Sequence, residues 1–231
     1  MIYGTGGIGK SSLSALAPNP LFYDFDRGAG ATGVATIGGV ETWTDLRDAL
    51  HSRIVRDYAT LVIDTATKVQ ELAQAHTFAT VRHEKGNLVT SVEGYGYGKG
   101  YQHVYDTFLT LLSDLDEHAR AGRNVVLVCH SVTDTAPNPE GEDYKRYEPD
   151  LQQPPKQGRL RDRIKNWCDH LLFINYDVAV NKGKAVGAGT RTIYPTEMPT
   201  YWAKSRKLRD PIPFPEGSRD LWAALFEGGA R

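Results

Sequence analysis

The segment that most restricts the fold of this chain is a glycine-rich octapeptide near its N-terminus, Gly4-Thr5-Gly6-Gly7-Ile8-Gly9-Lys10-Ser11. It matches the pattern G-x-x-x-x-G-K-[ST] at every fixed position. Glycines in such a loop let successive backbone N–H groups turn inward around phosphate groups, with no side chain in the way. Lys10 is expected to reach the β- and γ-phosphates, and the Ser11 hydroxyl to ligate Mg²⁺. The segment, extended by Ser12, predicts a phosphate-binding loop for a nucleoside triphosphate, with ATP and Mg²⁺ as cofactors.

The residues around this octapeptide support that prediction over a chance glycine-rich turn, because a strand pattern precedes it and a helix pattern comes after it. Only three residues, Met1-Ile2-Tyr3, come before the loop. The strand that leads into it is therefore short, or it begins upstream of the printed sequence.

The rest of the chain alternates between strand and helix patterns. Short apolar runs predict buried parallel strands at residues 21–25, 61–63, 125–129 and 171–174. Thr42 and Asp45 predict a capped helix start, and an apolar stripe over residues 101–115 predicts a second helix. This alternation predicts an α/β fold with a mostly parallel β-sheet flanked by helices, forming a single domain over residues 1–231.

The C-terminal third departs from this alternation. Residues 176–180 and 191–194, separated by a Gly/Lys turn region, predict a β-hairpin. Ser218 is expected to cap a final helix.

Bulk composition excludes several classes of protein. With 40% hydrophobic and 24% charged residues among 231, the chain is ordinary for a globular protein. The formal net charge of −1 means that contact with nucleic acid requires a local basic patch. Two isolated cysteines, Cys129 and Cys168, favour a reducing cytoplasm. The longest apolar runs are too short to span a bilayer, and no signal-peptide pattern is present, so no membrane partner is expected.

Polar side chains end three of the predicted strands. Asp64 comes after an apolar run, and a phosphate-binding loop of this kind needs such an acid to hold the metal through water; the alternative role is to cap the next helix. Asp24 and Asp26 end an earlier strand, where one carboxylate would orient the attacking water or, alternatively, form a turn. His130 ends a later strand and is expected near the phosphates, or else to be a structural histidine.

The order of these elements resembles the RecA-type recombinase core, and most closely the phage-encoded RecA-like ATPases that anneal single strands. The resemblance runs from Met1 to about Phe214, and its motifs are residues 4–11, Tyr23-Asp24-Phe25-Asp26, Ile63-Asp64-Thr65, His130 and Lys204-Ser205-Arg206. It implies a RecA-like P-loop fold in which Asp26 activates the attacking water, in place of the family's usual Glu. It also implies that His130 senses the γ-phosphate.

The resemblance gives the last motif a role between subunits. It implies that Lys204 and Arg206 reach the γ-phosphate held by a neighbouring subunit, where two cations would neutralise the charge that develops on the transferred group. Without the family pattern, a Lys-Ser-Arg run is usually a solvated basic surface. The implied partners are single-stranded DNA, further copies of the chain in an oligomer or filament, and a single-strand-binding protein. The implied compartment is the cytoplasm of a bacterial host.

Two segments interrupt the alternation, at residues 87–100 and 131–165, and both are predicted as long loops. By position they match the DNA-facing loops of the RecA-like family. Tyrosines among glycines suit the stacking of unpaired bases, and a run of bases suits phosphate contacts. Local packing of the tyrosines and a solvated, alternately charged helix are the alternatives. The DNA-binding candidates are Tyr95, Tyr97, Lys99, Lys156, Arg159, Arg161 and Arg163.

Three functions remain open from the sequence. The first is a DNA-dependent ATPase that oligomerises on single-stranded DNA and promotes annealing or strand exchange. The second is a DNA-binding module that ATP switches, with negligible turnover. The third is a kinase for a small molecule or nucleotide. Lys204 and Arg206, together with the lack of an arginine-rich lid segment, count against the kinase, whereas only a turnover number separates the first two.

Overall fold

The structure is a computed structural model that describes residues 1–181 and 184–227. Within these residues, short turns of 3₁₀ or π helix occupy Ala29–Thr32, Arg53–Asp57, Glu93–Tyr95 and Ala223–Glu227. The strands and α-helices, in chain order, are β1 Ile2–Gly4, α1 Lys10–Ala15, β2 Pro20–Asp24, β3 Ala35–Ile37, α2 Trp43–His51, β4 Thr60–Asp64, α3 Ala66–Thr80, α4 Lys99–Arg120, β5 Asn124–Ala136, β6 Tyr144–Pro149, α5 Leu160–Trp167, β7 His170–Asn181, β8 Lys184–Tyr194, β9 Lys204–Ser205, β10 Ile212–Pro213 and α6 Asp220–Trp222.

The backbone divides into two compact units. The first comprises Met1–Pro18, Val128–Asp150 and Trp167–Arg231, and the second comprises Asn19–Leu127 and Leu151–Asn166. Each unit is discontinuous in sequence, and strand β5 contributes residues to both. The single domain over residues 1–231 stays a prediction.

In the first unit, the short strand β1 lies between two longer strands. It pairs in parallel with β5 on one side, where Gly4 is opposite His130, and with β7 on the other, where Gly4 is opposite Ile174. Strands β6, β8, β9 and β10 extend this sheet by antiparallel pairing. Because all three residues of β1 are buried, the segment after Gly4 starts from a fixed position at the carboxyl end of a central strand.

In the second unit, β2 lies between β3 and β4 and is parallel to both. Helices α3 and α4 pack against each other, and the buried side of α4 carries the apolar stripe predicted from the sequence. Its buried members include Val104, Phe108 and Leu115. The stripe therefore serves core packing. The α/β class with mostly parallel core strands is confirmed, since each predicted core strand overlaps an observed one that pairs in parallel with a neighbour.

The predicted helix starts differ in outcome. At α2 the capping box is complete, because the Thr42 hydroxyl accepts from Asp45 N at 3.1 Å and the Asp45 carboxylate accepts from Thr42 N at 2.9 Å. The Ser218 prediction is wrong: the N-cap of α6 is Arg219, which makes no side-chain cap hydrogen bond, although the Ser218 hydroxyl accepts from Asp220 N at 3.2 Å. Helix α6 covers only three residues before it continues as a π turn.

The predicted loops require a correction. Residues 131–165 are not one long loop, because β5 continues to Ala136 and pairs with β6 as a hairpin, and α5 comes after that hairpin. Residues 87–98 are irregular around a 3₁₀ turn, and α4 already begins at Lys99. The C-terminal hairpin is confirmed as β7 and β8, which are longer than predicted; residues 182–183 of its turn region lie outside the described residues.

No helix within residues 1–181 and 184–227 has both the length and the apolar character that crossing a bilayer requires.

Candidate functional site

The glycine-rich loop joins β1 to α1 and takes a conformation that its glycines make possible. Gly7 and Gly9 have φ angles of 73° and 99°, in the left-handed region that residues with a Cβ rarely adopt. Gly4 is needed for a different reason, because a Cβ there would lie 2.5 Å from the carbonyl oxygen of Ile174 on the neighbouring strand. Sheet packing and left-handed turns together define the path of the loop.

Lys10 points back into the loop that precedes it. Its side chain is buried, with the residue 6% exposed, and Nζ donates to the carbonyl oxygens of Gly4 at 3.0 Å and Thr5 at 2.8 Å. Both acceptors are neutral, whereas a phosphate oxygen is a charged and therefore stronger acceptor for an ammonium group.

The loop is open at two of its glycines. A Cβ built on Gly6 or Gly7 would meet no atom within 4 Å, so a ligand can approach the backbone there. Ser11 is half-buried in the first turn of α1, and Ser12 is exposed. A buried ammonium group in the same loop as an open glycine backbone fits a phosphate chain.

The sheet brings His130 to the loop. It is half-buried on β5, directly opposite Gly4, and its carbonyl oxygen accepts from Asp150 N at 2.9 Å. The structure therefore places His130 level with the residue from which the loop emerges, but not at the strand end that the sequence predicts, because β5 continues to Ala136. After His130 the chain continues into the β5–β6 hairpin rather than into a loop.

An arginine that the sequence did not indicate also contacts the loop. Arg191 on β8 donates from Nη1 to the carbonyl oxygen of Ile8 at 2.9 Å, and its guanidinium carbon lies 4.5 Å from the ring centroid of Phe214. No motif marks either residue, since their position depends on the pairing of β8 with β7.

In the second unit, the carboxylates at the ends of β2 and β4 have different surroundings. Asp24 and Asp64 are opposite each other in the parallel register. Asp24 accepts from Gly28 N at 3.0 Å and Ala29 N at 2.9 Å, so it forms the turn that was its structural alternative. Asp64 is 2% exposed. The cap of α3 is Thr65, whose hydroxyl accepts from Lys68 N at 3.2 Å, so Asp64 does not have that alternative role.

Asp26 lies beyond the end of β2, which stops at Asp24. The two carboxylates therefore do not project from one strand in the same direction. Asp26 is exposed, and its carboxylate accepts from the Thr65 hydroxyl at 3.1 Å. This hydrogen bond ties the predicted water-activating residue to the residue next to Asp64.

Lys204 and Arg206 lie away from the loop within the first unit. Ser205 and Lys204 pair with His170 and Leu171 at the start of β7, whereas Gly4 pairs with Ile174 further along that strand. At ~3.3 Å per residue, the level of His170 is roughly 13 Å from that of Gly4, on the side opposite to the loop. Arg206 forms an exposed ion pair with Asp169, with Nε at 3.0 Å from Oδ1.

The family model described as AAA domain matches residues 1–207 of the chain. The chain belongs to the AAA domain family. Among curated proteins, none matches it significantly. Membership supports a P-loop ATPase of the AAA type, with nucleotide binding and ATPase activity at that general level.

This AAA domain contains no metal cage in its described residues, where no group of three or more His, Cys, Asp or Glu side chains is arranged to hold a metal ion. A Mg²⁺ ion that arrives with a nucleotide does not need one, because phosphate oxygens and waters supply most of its ligands. The Ser11 hydroxyl and the Asp64 carboxylate are oxygen donors of the kind that Mg²⁺ prefers.

Two of the predicted DNA-binding residues are buried in the AAA domain, which corrects those predictions. Tyr95 is 3% exposed, and its hydroxyl lies 2.8 Å from Val81 O and 3.1 Å from Thr77 O. Its ring packs against Phe78 and His103. Arg161 is also buried and donates from Nε and Nη2 to Leu151 O, at 3.2 and 3.0 Å.

The remaining candidates lie at the surface of the second unit. Tyr97 is 99% exposed. Lys99 pairs with Glu84, and Arg159 pairs with Asp162 at 2.7 Å, while Lys156 and Arg163 are exposed. Gln152 joins the two segments that carry these residues, since its Nε2 donates to Tyr101 O at 2.9 Å and to Gly158 O at 2.7 Å.

We expect Gly9→Ala to weaken MgATP binding at least about tenfold, because the left-handed φ angle disfavours a residue with a Cβ and the new methyl group would meet Arg191 Nη1 at 2.5 Å. Gly30→Ala is the matched control, since Gly30 has no positive φ and no atom within 4 Å of a built Cβ. The measurement is titration calorimetry with MgATP. Equal affinities for the two variants would contradict this account of the loop.

Proposed function

We propose that this AAA domain hydrolyses ATP with Mg²⁺ and couples the reaction to single-stranded DNA. Lys10 is the observation that carries the proposal: a buried ammonium group is held by loop carbonyls at the carboxyl end of a central parallel strand. An ammonium in that position is suited to bind the β- and γ-phosphates and to stabilise the charge that develops on the transferred group.

The proposed roles of the other polar residues are based on their places in the chain: Ser11 follows Lys10 in α1, Asp64 ends β4, Asp26 lies just beyond β2, and His130 is on β5. Ser11 ligates Mg²⁺, and Asp64 holds the water shell of the metal. Asp26, oriented by its hydrogen bond from Thr65, accepts the proton of the attacking water. His130, opposite Gly4, senses the γ-phosphate. It couples the presence of that phosphate to the conformation of the β5–β6 hairpin, which continues from it.

Single-stranded DNA is the proposed partner of the second unit. Support comes from the RecA-like resemblance and from the exposed side chains on the two segments that Gln152 joins, which are Tyr97, Lys99, Lys156, Arg159 and Arg163. An exposed aromatic ring with nearby cations can stack on a base and neutralise phosphates without reading sequence. Such a partner fits annealing or strand exchange, and it requires no global positive charge.

We also propose that hydrolysis needs a second copy of the chain. Lys204 and Arg206 lie at the end of β7 opposite to the loop of their own chain, so in this fold they do not complete that loop. Arg206 is exposed and is held by a surface ion pair, which contributes about 0–1 kcal/mol and is readily exchanged for a phosphate contact. A neighbour's γ-phosphate is the acceptor that we assign to this pair.

The proposal predicts that single-stranded DNA increases the steady-state rate of MgATP hydrolysis, and that the rate rises more steeply than linearly with protein concentration. The same strand in a fully paired duplex is the control. A rate that ignores DNA and is proportional to protein would contradict both the DNA and the intersubunit steps. ATP binding with negligible turnover would favour a DNA-binding module that ATP switches. Phosphate transfer to an added acceptor would favour a kinase.

Arg206→Ala should leave MgATP affinity unchanged and lower DNA-stimulated hydrolysis by about tenfold or more, because only the transition state loses a cation. Asp169→Ala is the matched control: it breaks the same ion pair but keeps Arg206, and it should retain hydrolysis. A loss of MgATP binding in Arg206→Ala, or equal hydrolysis in both variants, would refute the assignment of Arg206 to a neighbour's site.

A further inference from the structure

Strand β8 places one arginine beside the glycine-rich loop. Ile193 on β8 is opposite Ile174 on β7, which is itself opposite Gly4. Arg191 is opposite Tyr176, two residues further in the direction in which the loop leaves β1. The strand pairing therefore sets Arg191 at the level of the loop without any contribution from the loop's own sequence.

The guanidinium of Arg191 is held between an aromatic ring and the loop backbone. On one side it lies over Phe214, which is 3% exposed and whose N–H donates to Arg191 O at 2.7 Å. On the other side, Nη1 donates to Ile8 O at 2.9 Å. Stacking on a buried ring fixes the plane of a guanidinium, so the direction of the hydrogen bond to the loop is fixed as well.

Arg191 contacts the loop at the residues immediately before Lys10. Gly9, with φ of 99°, is the N-cap of α1, and a Cβ on it would come within 2.5 Å of Arg191 Nη1 and 3.2 Å of a Phe214 ring carbon. Arg191 and Phe214 thus fill the space in which residues 8 and 9 would otherwise shift. Any shift there would carry Lys10 with it, because Lys10 is the next residue.

The charge of Arg191 is not neutralised by the nearest acid of the hairpin. Asp177 accepts from the Thr190 hydroxyl at 2.6 Å and from the Tyr194 hydroxyl at 3.5 Å. Residues 190 and 194 lie on the face of β8 opposite to Arg191, because side chains alternate along a strand. Within the described part of the chain, the hydrogen bond of the Arg191 side chain goes to Ile8 O.

We propose that Arg191 is a positioning residue of the nucleotide site. Its guanidinium, stacked on Phe214, holds the loop at Ile8 and Gly9 in the conformation that presents Lys10 to the phosphates. This inference rests on the proposed nucleotide binding, and it assigns to the C-terminal hairpin a part in that binding.

The test is MgATP affinity by titration calorimetry on folded protein, well below the unfolding transition, where a contact that only adds stability does not change affinity. Arg191→Ala should bind MgATP about tenfold more weakly, the effect of losing one hydrogen bond from a charged donor. Arg209→Ala is the matched control, because Arg209 makes the same kind of bond, from Nη1 to Ser205 O at 2.8 Å, away from the loop. It should bind like the wild type.

Two further variants keep the test decisive if Arg191→Ala folds poorly. Arg191→Lys keeps the charge but not the flat stacking surface, and about a threefold loss of affinity is expected. Phe214→Leu should cause a similar loss, and the double variant with Arg191→Ala should bind no more weakly than Arg191→Ala alone.

Wild-type affinity in both Arg191 variants would overturn the positioning role while the nucleotide site stands, and so would fully additive losses in the double variant. A wild-type protein that binds no MgATP would instead overturn the proposed function, and this inference with it.

Discussion

The hydrogen bonds from the Lys10 ammonium to the Gly4 and Thr5 carbonyl oxygens depend on where β1 ends, and the two strands that pair with β1 define that point. Strand β1 has only three residues, but all are buried and both edges are paired. The Tyr3 hydroxyl lies 2.5 Å from Trp202 O and 3.1 Å from Tyr147 O, which ties the strand to distant parts of the chain, and burial raises the pKa of Tyr3 well above its ordinary value. A short strand held in this way gives the loop a fixed origin.

The arrangement around the loop is a consequence of strand pairing. Parallel pairing sets His130 on β5 opposite Gly4, and the antiparallel pairing of β8 with β7 sets Arg191 at the level of the loop. The same logic sets Asp64 beside Asp24 in the second unit. A net charge of −1 is compatible with an anionic ligand, because individual basic side chains such as Lys10 are placed at the loop. An overall positive potential of the protein is not required.

Most features that depend on a local sequence pattern could be predicted from the sequence. The loop, the buried strands, the helix stripe on α4 and the capping box at Thr42 depend on residues a few positions apart, and each was predicted. Arg191 was missed because its contact with Ile8 spans most of the chain and depends on strand register. The β5–β6 hairpin was missed because its strands carry many polar residues, and prolines and acids between them resemble a loop.

Composition also does not distinguish a tyrosine or arginine that binds from one that packs. Tyr95 and Tyr97 belong to one glycine-rich stretch, yet the first is buried with its hydroxyl between two carbonyls and the second is almost fully exposed. Arg161 and Arg163 show the same contrast two residues apart on α5, because a helix turns them to different sides. Deciding which of these side chains are free to bind a partner and which pack in the core requires the three-dimensional structure.

The most direct test of the account is equilibrium binding of MgATP to the wild-type chain and to Lys10→Ala. Lys145→Ala serves as the control, because Lys145 donates to a threonine hydroxyl on the exposed β5–β6 hairpin. The account predicts saturable binding of one nucleotide per chain by the wild type and by Lys145→Ala, and an affinity lower by at least about tenfold in Lys10→Ala. Equal affinity in Lys10→Ala, or no binding by the wild type, would contradict it.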